Sequence, residues 1–334
     1  MDRKDLLLEV KNLKTYFDSK EGLAKAVDGV DFEVYKGETL GIVGESGCGK
    51  SITSLSIMNL VPKPGGKIVD GEILIYRGNE VVDITKLSPN SKKMKHICRN
   101  DLAMIFQDPM TSLSPVYTIG SQIVEGICLS HNIDKDEARG KAIEMLRKVG
   151  ISPAEQRFNE YPYQLSGGMN QRAMIAVALA CNPCLLIADE PTTALDVTVE
   201  AQILELMQDL EDEYNMSTIF ISHDLDVIGE ISDRVVVMYT GKVVEVANVE
   251  DIFYSPSHPY TQGLLQSIPK IGRKKELKPI SGSVPPIYNL PDCCHFAPRC
   301  PKRMDICTRE DPPIYDIGNG HKAKCWLYEK GGQV

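Results

Sequence analysis

The chain has 334 residues, of which 43% are hydrophobic and 25% are charged, as in an ordinary globular protein of about two domains. Its formal net charge of −9 disfavours non-specific binding to nucleic acid. No apolar run approaches the ~18 residues of a membrane-spanning helix, and the charged N-terminus is not followed by the apolar core of a signal peptide. We therefore expect a cytosolic chain whose membrane role depends on a partner.

Strands and helices alternate along the first 255 residues. Apolar runs and period-two alternation predict strands at residues 6–10, 25–35, 39–43, 71–76, 102–106, 185–188, 218–222 and 235–239. Helical spacing predicts helices at 50–61, 169–180 and 199–214, and a mainly helical stretch at 119–150. This order favours an α/β fold with a mostly parallel central sheet and an inserted helical subdomain at about 110–165.

After residue 252 the composition changes, because eleven prolines break up any long element. We place a domain boundary near residues 255–259, which gives domains 1–255 and 256–334.

The sequence GESGCGKS from Gly44 to Ser51 fits the phosphate-binding loop G-x-x-x-x-G-K-[ST], between a predicted strand and a predicted helix. Glycine N–H groups would cradle phosphate, Lys50 would reach the β- and γ-phosphates, and Ser51 would offer a hydroxyl to Mg²⁺. The expected nucleotide-binding residues of this loop are Gly44, Ser46, Gly47, Cys48, Gly49, Lys50, Ser51 and Ile52. A redox-sensing thiolate at Cys48 is an alternative.

Two acids end the apolar strand LLIADE. Asp189 is placed to hold the Mg²⁺ shell, and Glu190 is placed to polarise the attacking water.

A second anion-binding element lies at LSGGMNQR, from Leu165 to Arg172. Ser166 is a natural N-cap, and Gly167 and Gly168 leave helix N–H groups unshielded. Because each nucleotide motif occurs once, the chain resembles half of a two-site machine, in which two subunits meet around shared nucleotides.

Together these motifs resemble the ABC ATPases over roughly residues 5–255, with LSGGMNQR as their signature motif. The resemblance implies an antiparallel β region, a P-loop NTPase fold and ATP held between the loop of one subunit and the signature of another. It also implies roles for Gln107 (Mg²⁺ and water), His223 (γ-phosphate), Asp196 (dimer interface), Gln171 (nucleotide), and Phe17 or Tyr16 (adenine stacking). Asn170 departs from the family, whose closest members usually have arginine there.

Five of the ten cysteines lie in the last fifty residues. Cys294, Cys300, Cys307 and Cys325 could hold a [4Fe–4S] cluster or zinc, or stay unligated or in disulfides; whether Cys293 or Cys294 would be the first ligand is open. This segment resembles the C-terminal extension of oligopeptide and dipeptide importer ATPases, where such cysteines can carry iron–sulfur.

The resemblance implies an ATP- and Mg²⁺-dependent subunit that energises import of di- or oligopeptides, on the cytoplasmic face of the membrane. Its partners would be a second ATPase, identical or related, permease subunits and, indirectly, a peptide-binding protein. A nickel or other solute importer of the same family is the alternative.

An ABC ATPase of DNA repair or translation would need a long coiled-coil insertion or two fused cassettes, and the sequence shows neither. A P-loop kinase would not need the segment from Leu165 to Arg172 or His223, and would leave residues 255–334 unexplained. A metal or redox sensor is disfavoured by the intact Lys50 and Glu190.

Overall fold

The computed structural model describes residues 5–193, 195–267 and 279–329, so the predicted domain ends at residues 1 and 334 lie outside the described residues. The strands are β1 (Leu6–Ser19), β2 (Gly22–Tyr35), β3 (Thr39–Val43), β4 (Gly66–Arg77), β5 (Glu80–Asp83), β6 (Leu102–Ile105), β7 (Leu185–Asp189), β8 (Ser217–Ser222), β9 (Arg234–Tyr239), β10 (Lys242–Asn248), β11 (Tyr315–Gly318) and β12 (His321–Ala323). The helices are α1 (Lys50–Ile57), α2 (Lys92–Asn100), α3 (Pro109–Ser112), α4 (Ile119–His131), α5 (Lys135–Lys148), α6 (Ala154–Arg157), α7 (Gly167–Leu179), α8 (Val197–Tyr214), α9 (Leu225–Ile231), α10 (Val249–Tyr254) and α11 (Pro259–Ser267).

The described residues divide into two compact units, one from residues 5–86, 222–267 and 279–329 and the other from residues 87–193 and 195–221. The first unit contains an antiparallel sheet in the order β2-β1-β4-β5. It also contains strands in the order β11-β12-β10-β9-β3, of which β3 and β9 run parallel. All five residues of β3 are buried, so this strand holds the loop that follows it on a rigid base.

The second unit has parallel strands in the order β8-β7-β6, together with helices α2 to α8. Every residue of β7 is buried, as expected of a parallel strand covered on both faces. The α/β class and the parallel strands predicted from the apolar runs are confirmed.

The structure corrects one predicted helix and resolves a predicted helical stretch into two helices. The helix predicted at 50–61 ends at Ile57, because Asn59 turns the backbone into the left-handed region with φ of +56°. The stretch at 119–150 is two helices, since Asn132 ends α4 in the same conformation and the Asp134 side chain then caps α5. Strand β10 was not predicted.

Residues 279–329 of the first unit are mainly irregular, with short 3₁₀ helices and the strands β11 and β12. A buried hydrogen bond joins them to β10, with 2.7 Å between His321 Nε2 and Glu245 Oε1. The Glu245 carboxylate also accepts the N–H groups of Ser257 and His258, at 2.6 and 2.9 Å. Three hydrogen bonds therefore reach this buried carboxylate and offset the cost of its burial.

These residues belong to the same compact unit as the N-terminal sheet. The boundary near residues 255–259 stays a prediction. Among the described residues no helix is long and apolar enough to cross a membrane.

Candidate functional site

The loop between β3 and α1 has a backbone that only glycine can adopt at two points. Gly44 has φ of +154°, and a Cβ there would lie 2.2 Å from the Met238 carbonyl oxygen. Gly49 has φ of +106°, and a Cβ would lie 2.3 Å from the Ala26 carbonyl oxygen. Both glycines thus let the loop pack closely against neighbouring backbone, in a tight turn of the kind that a phosphate cradle needs.

Lys50 begins α1 and lies across this loop. Its side chain is buried, with the residue 5% exposed, and its Nζ donates a hydrogen bond to the Gly44 carbonyl at 2.7 Å. The ammonium group is therefore held at the mouth of the cradle. Ser51 and Ile52 follow it half-buried, and Ser46 and Gly47 are exposed at the loop's tip.

Cys48 contributes backbone rather than thiol chemistry to the loop. Its side chain is 1% exposed, and burial raises the pKa of the thiol. Its carbonyl accepts the Gly241 N–H at 2.8 Å. A buried thiol with a raised pKa does not suit the redox-sensing alternative.

In the second unit, Glu190 follows β7 with an unusual backbone. Its φ is +48°, a region that non-glycine residues occupy rarely and often at functional sites. Its carboxylate accepts hydrogen bonds from Gln107 Nε2 at 2.9 Å and from Thr193 Oγ1 at 3.1 Å. The structure thus brings the predicted pair Gln107 and Glu190 together, and it adds Thr193, which the sequence had not indicated.

Asp189, the last residue of β7, is 5% exposed, so its carboxylate sits at the buried end of the strand. In the first unit, His223 follows β8 and is exposed. The next residue, Asp224, caps α9 through the N–H of Asp226 at 2.8 Å. The predicted residues Asp189, Glu190 and His223 thus each lie at the last position of a strand or directly after it.

The signature segment begins α7 as predicted. The Ser166 hydroxyl accepts the Met169 N–H at 3.4 Å, and Ser166 and Gly167 are exposed. A Cβ on Gly168 would lie 3.0 Å from Val199 Cγ1, so the start of α7 lies against the start of α8. Asp196 caps α8 by accepting the N–H groups of its second and third residues at 3.1 and 3.0 Å. The N-termini of α7 and α8, each of which favours anions, therefore lie next to each other.

Two residues of the signature face inward. Asn170 is 1% exposed, and its Nδ2 donates to the Pro162 carbonyl at 3.0 Å, so this departure from the family pattern is accommodated by a buried hydrogen bond. Gln171 is 2% exposed. Its contact with nucleotide stays a prediction.

The candidate adenine-stacking residues have different partners. The Tyr16 hydroxyl donates to Asp28 Oδ1 at 2.6 Å. Phe17 packs on Gly66, where a Cβ would meet its Cε1 at 2.5 Å. Because the Tyr16 side chain is held by this polar bond, Phe17 is the better candidate, and the role stays a prediction.

Comparison with known proteins agrees with these features. The family model described as ABC transporter matches residues 27–193, and the one described as oligopeptide/dipeptide transporter, C-terminal region, matches residues 244–307. The chain is 57% identical to the oligopeptide transport ATP-binding protein AppD of Bacillus subtilis (strain 168), over 98% of each chain.

The chain belongs to the ABC transporter ATPase family. It is also 47% identical to the dipeptide transport ATP-binding protein DppD of the same organism, over 97% of this chain and 95% of that one. A solved structure, the dimeric post-hydrolysis state of the ATP-binding cassette MJ0796 with ADP and Pi, matches with a TM-score of 0.64 and 28% identity. That match covers 73% of this chain and 99% of the cassette.

In this ABC ATPase the predicted cysteine ligands lie in the first unit, and none is in a disulfide. Burial raises the pKa of Cys294 to about 12 and that of Cys325 to about 11, and nearby cysteines contribute to both shifts. The nearby backbone N–H groups of Phe296 and Leu327 act against the rise in the pKa of Cys294 and Cys325, respectively. The Ala297 N–H donates to the Cys294 carbonyl at 3.0 Å.

Burial also raises the pKa of Cys300 and that of Cys293. Among the described residues no group of three or more His, Cys, Asp or Glu side chains is arranged to hold a metal ion.

Proposed function

We propose that this ABC ATPase drives the import of di- or oligopeptides through a membrane permease. The observation that carries the proposal is the near full-length likeness to AppD, an oligopeptide transport ATP-binding protein, at 57% identity. The match of residues 244–307 to the oligopeptide/dipeptide C-terminal region supports the same substrate class.

The loop from Gly44 to Ser51 would hold the ATP phosphates. Its amides and the Lys50 ammonium are the donors that an anionic polyphosphate needs. The Ser51 hydroxyl and the Asp189 carboxylate are oxygen ligands of the kind that Mg²⁺ prefers, so these residues fit the ion that the family implies. Bound there, Mg²⁺ would neutralise negative charge on the phosphates.

Glu190 would act as the general base on the attacking water. Its carboxylate is oriented by Gln107 and Thr193, so it can take a proton in a defined direction. His223 would donate a hydrogen bond to the γ-phosphate. Gln107 would transmit the conformational change at the nucleotide site to the permease.

ATP would close a pair of ATPase subunits, because the signature of one subunit would complete the site of the other. Exposed Ser166 and Gly167 at the start of α7, with Asp196 at the start of α8, support this role. Hydrolysis would then release the closed state, so energy is coupled through gating rather than through bonds to peptide. We place the complex at the cytoplasmic face of the cell membrane, with a binding protein delivering peptide on the other side.

Growth on peptides tests the substrate class. In an amino-acid auxotroph that lacks its own peptide importers, the full transporter containing this chain should restore growth on di- or oligopeptides that supply the missing amino acid. Growth on the free amino acid is the control. Restored nickel uptake without growth on peptides would favour the nickel importer and contradict the proposal.

We further propose that Cys294, Cys300, Cys307 and Cys325 hold a [4Fe–4S] cluster. All four are thiols, the ligand type of iron–sulfur clusters, and all four lie within residues 279–329. The cluster would cross-link the segment 279–329.

Metal analysis of matched serine variants tests this assignment. Anaerobically purified protein should be brown, with stoichiometric iron and sulfide, and Cys294→Ser should lose most of both. Cys293→Ser is the matched control and should keep them. Colourless anaerobic protein that contains zinc would overturn the cluster.

A further inference from the structure

Arg299 joins the segment 279–329 to the phosphate-binding loop. Its Nη1 lies 2.7 Å from Glu45 Oε2, and its Nη2 lies 3.1 Å from Glu45 Oε1. Glu45 directly follows Gly44 in the loop. This is a bidentate pair, the geometry in which arginine and carboxylate bind each other most specifically.

The arginine is held in place from several sides. Its side chain is 4% exposed, whereas that of Glu45 is 28% exposed. Its Nε donates to the Ser281 carbonyl at 3.2 Å, and its guanidinium lies 5.9 Å from the centre of the Tyr239 ring. Arg299 is thus a rigid anchor, and Glu45 is the partner that faces the more open side.

The same side of the loop has a second attachment. The Glu45 N–H donates to the Tyr260 hydroxyl at 2.9 Å. The Tyr260 ring packs against Tyr239 and Phe296, with centroids 4.7 and 5.4 Å away. Phe296 belongs to the same segment as Arg299, so the segment contacts Glu45 both directly and through an aromatic cluster.

A third contact reaches the other end of the loop. His295 Nδ1 lies 2.8 Å from Thr240 Oγ1, and the next residue, Gly241, donates its N–H to the Cys48 carbonyl at 2.8 Å. Two neighbouring residues of the segment, His295 and Phe296, therefore support the strand end on which the loop rests.

The negative charge on Glu45 affects how well the loop can bind phosphate. A carboxylate one residue from Gly44 would repel a polyphosphate in the cradle unless a cation neutralises it. Arg299 supplies that cation at hydrogen-bond distance and holds the loop at the same time. Losing the arginine would both release the loop and leave the carboxylate uncompensated.

We propose that Arg299 is a positioning residue of the nucleotide site, through which the segment 279–329 sets the affinity of the loop for ATP. Arg299 neutralises Glu45 and keeps the backbone at Gly44 in its anion-binding conformation. The proposal rests on the assignment of this loop to ATP. The segment, although far along the chain from the loop, then acts on nucleotide binding.

Equilibrium binding of a fluorescent ATP analogue to the full chain tests the proposal. Arg299→Gln should weaken binding about tenfold, within the usual range for coupling between sites. Glu45→Gln should weaken it less, because it frees the loop without leaving a bare carboxylate. The double variant should match Glu45→Gln, and Arg299→Lys, which keeps the charge, should fall between wild type and Arg299→Gln. At saturating ATP the kcat of each variant should stay within about twofold of wild type, since Arg299 does not touch the reacting atoms.

Matched variants distinguish loss of this ion pair from loss of charge elsewhere and from loss of folding. Arg309→Gln removes an exposed arginine of the same segment and should leave binding unchanged. Thermal unfolding of each variant reports lost folding, and the double variant, which has no unpaired buried charge, keeps the test valid if Arg299→Gln does not fold.

Two results would overturn the proposal. One is binding within twofold of wild type in Arg299→Gln or, if that variant is unfolded, in the double variant. The other is an effect in the double variant equal to the sum of the two single effects. Lys50→Ala in the same assay shows separately whether the loop binds ATP at all.

Discussion

Replacing Lys50 with alanine is expected to weaken ATP binding by at least about 100-fold, because a buried ammonium makes charge-assisted bonds to phosphate worth several kcal/mol. Lys50 is 5% exposed and crosses the loop to the Gly44 carbonyl, so its ammonium group is held in a fixed position at the loop. Equilibrium binding of a fluorescent ATP analogue measures the effect.

The matched control for this variant is Lys36→Ala, which removes an exposed lysine of the same unit and should bind normally. Thermal unfolding should show that Lys50→Ala remains folded. ATP affinity equal to wild type in folded Lys50→Ala would mean that the phosphates bind elsewhere.

Replacing Glu190 with glutamine is expected to lower ATP hydrolysis by about 10²- to 10⁴-fold, the usual contribution of a general base. The amide has nearly the same shape and can still accept the hydrogen bond of Gln107, so the site should stay assembled. ATP binding should therefore persist, and ATP-bound dimers should accumulate. Single-turnover hydrolysis and light scattering on a sizing column measure the two effects.

Glu205→Gln, an exposed acid on α8, is the matched control and should hydrolyse ATP at the wild-type rate. A Glu190→Gln variant that turns over normally would exclude Glu190 as the base. A variant that hydrolyses slowly but never forms ATP-dependent dimers would contradict the paired site.

The local motifs could be predicted because their chemistry depends on residues that are close together in the sequence. Gly44, Gly49 and Lys50 carry the backbone freedom and the charge of a phosphate cradle within seven positions, and the structure places them accordingly. Ser166 and Asp196 could be predicted as helix caps for the same reason, since a cap acts on the next few residues.

Contacts between distant residues could not be predicted in this way. Arg299 and Glu45 are 254 positions apart, and nothing near either residue indicates the other. Strand β10 was missed because its buried Glu245 interrupts the apolar pattern, and only the fold supplies His321 as the partner. The bond of Asn170 to the Pro162 carbonyl similarly depends on how the chain enters α7.

The central claim is that ATP hydrolysis by this chain drives peptide import, and simultaneous measurement of both in proteoliposomes tests it most directly. The complete transporter with a peptide-loaded binding protein should import labelled peptide only while it hydrolyses ATP. Replacing this subunit with its Glu190→Gln variant should reduce both rates together. Peptide import that continues at the wild-type rate with the variant subunit would contradict the account.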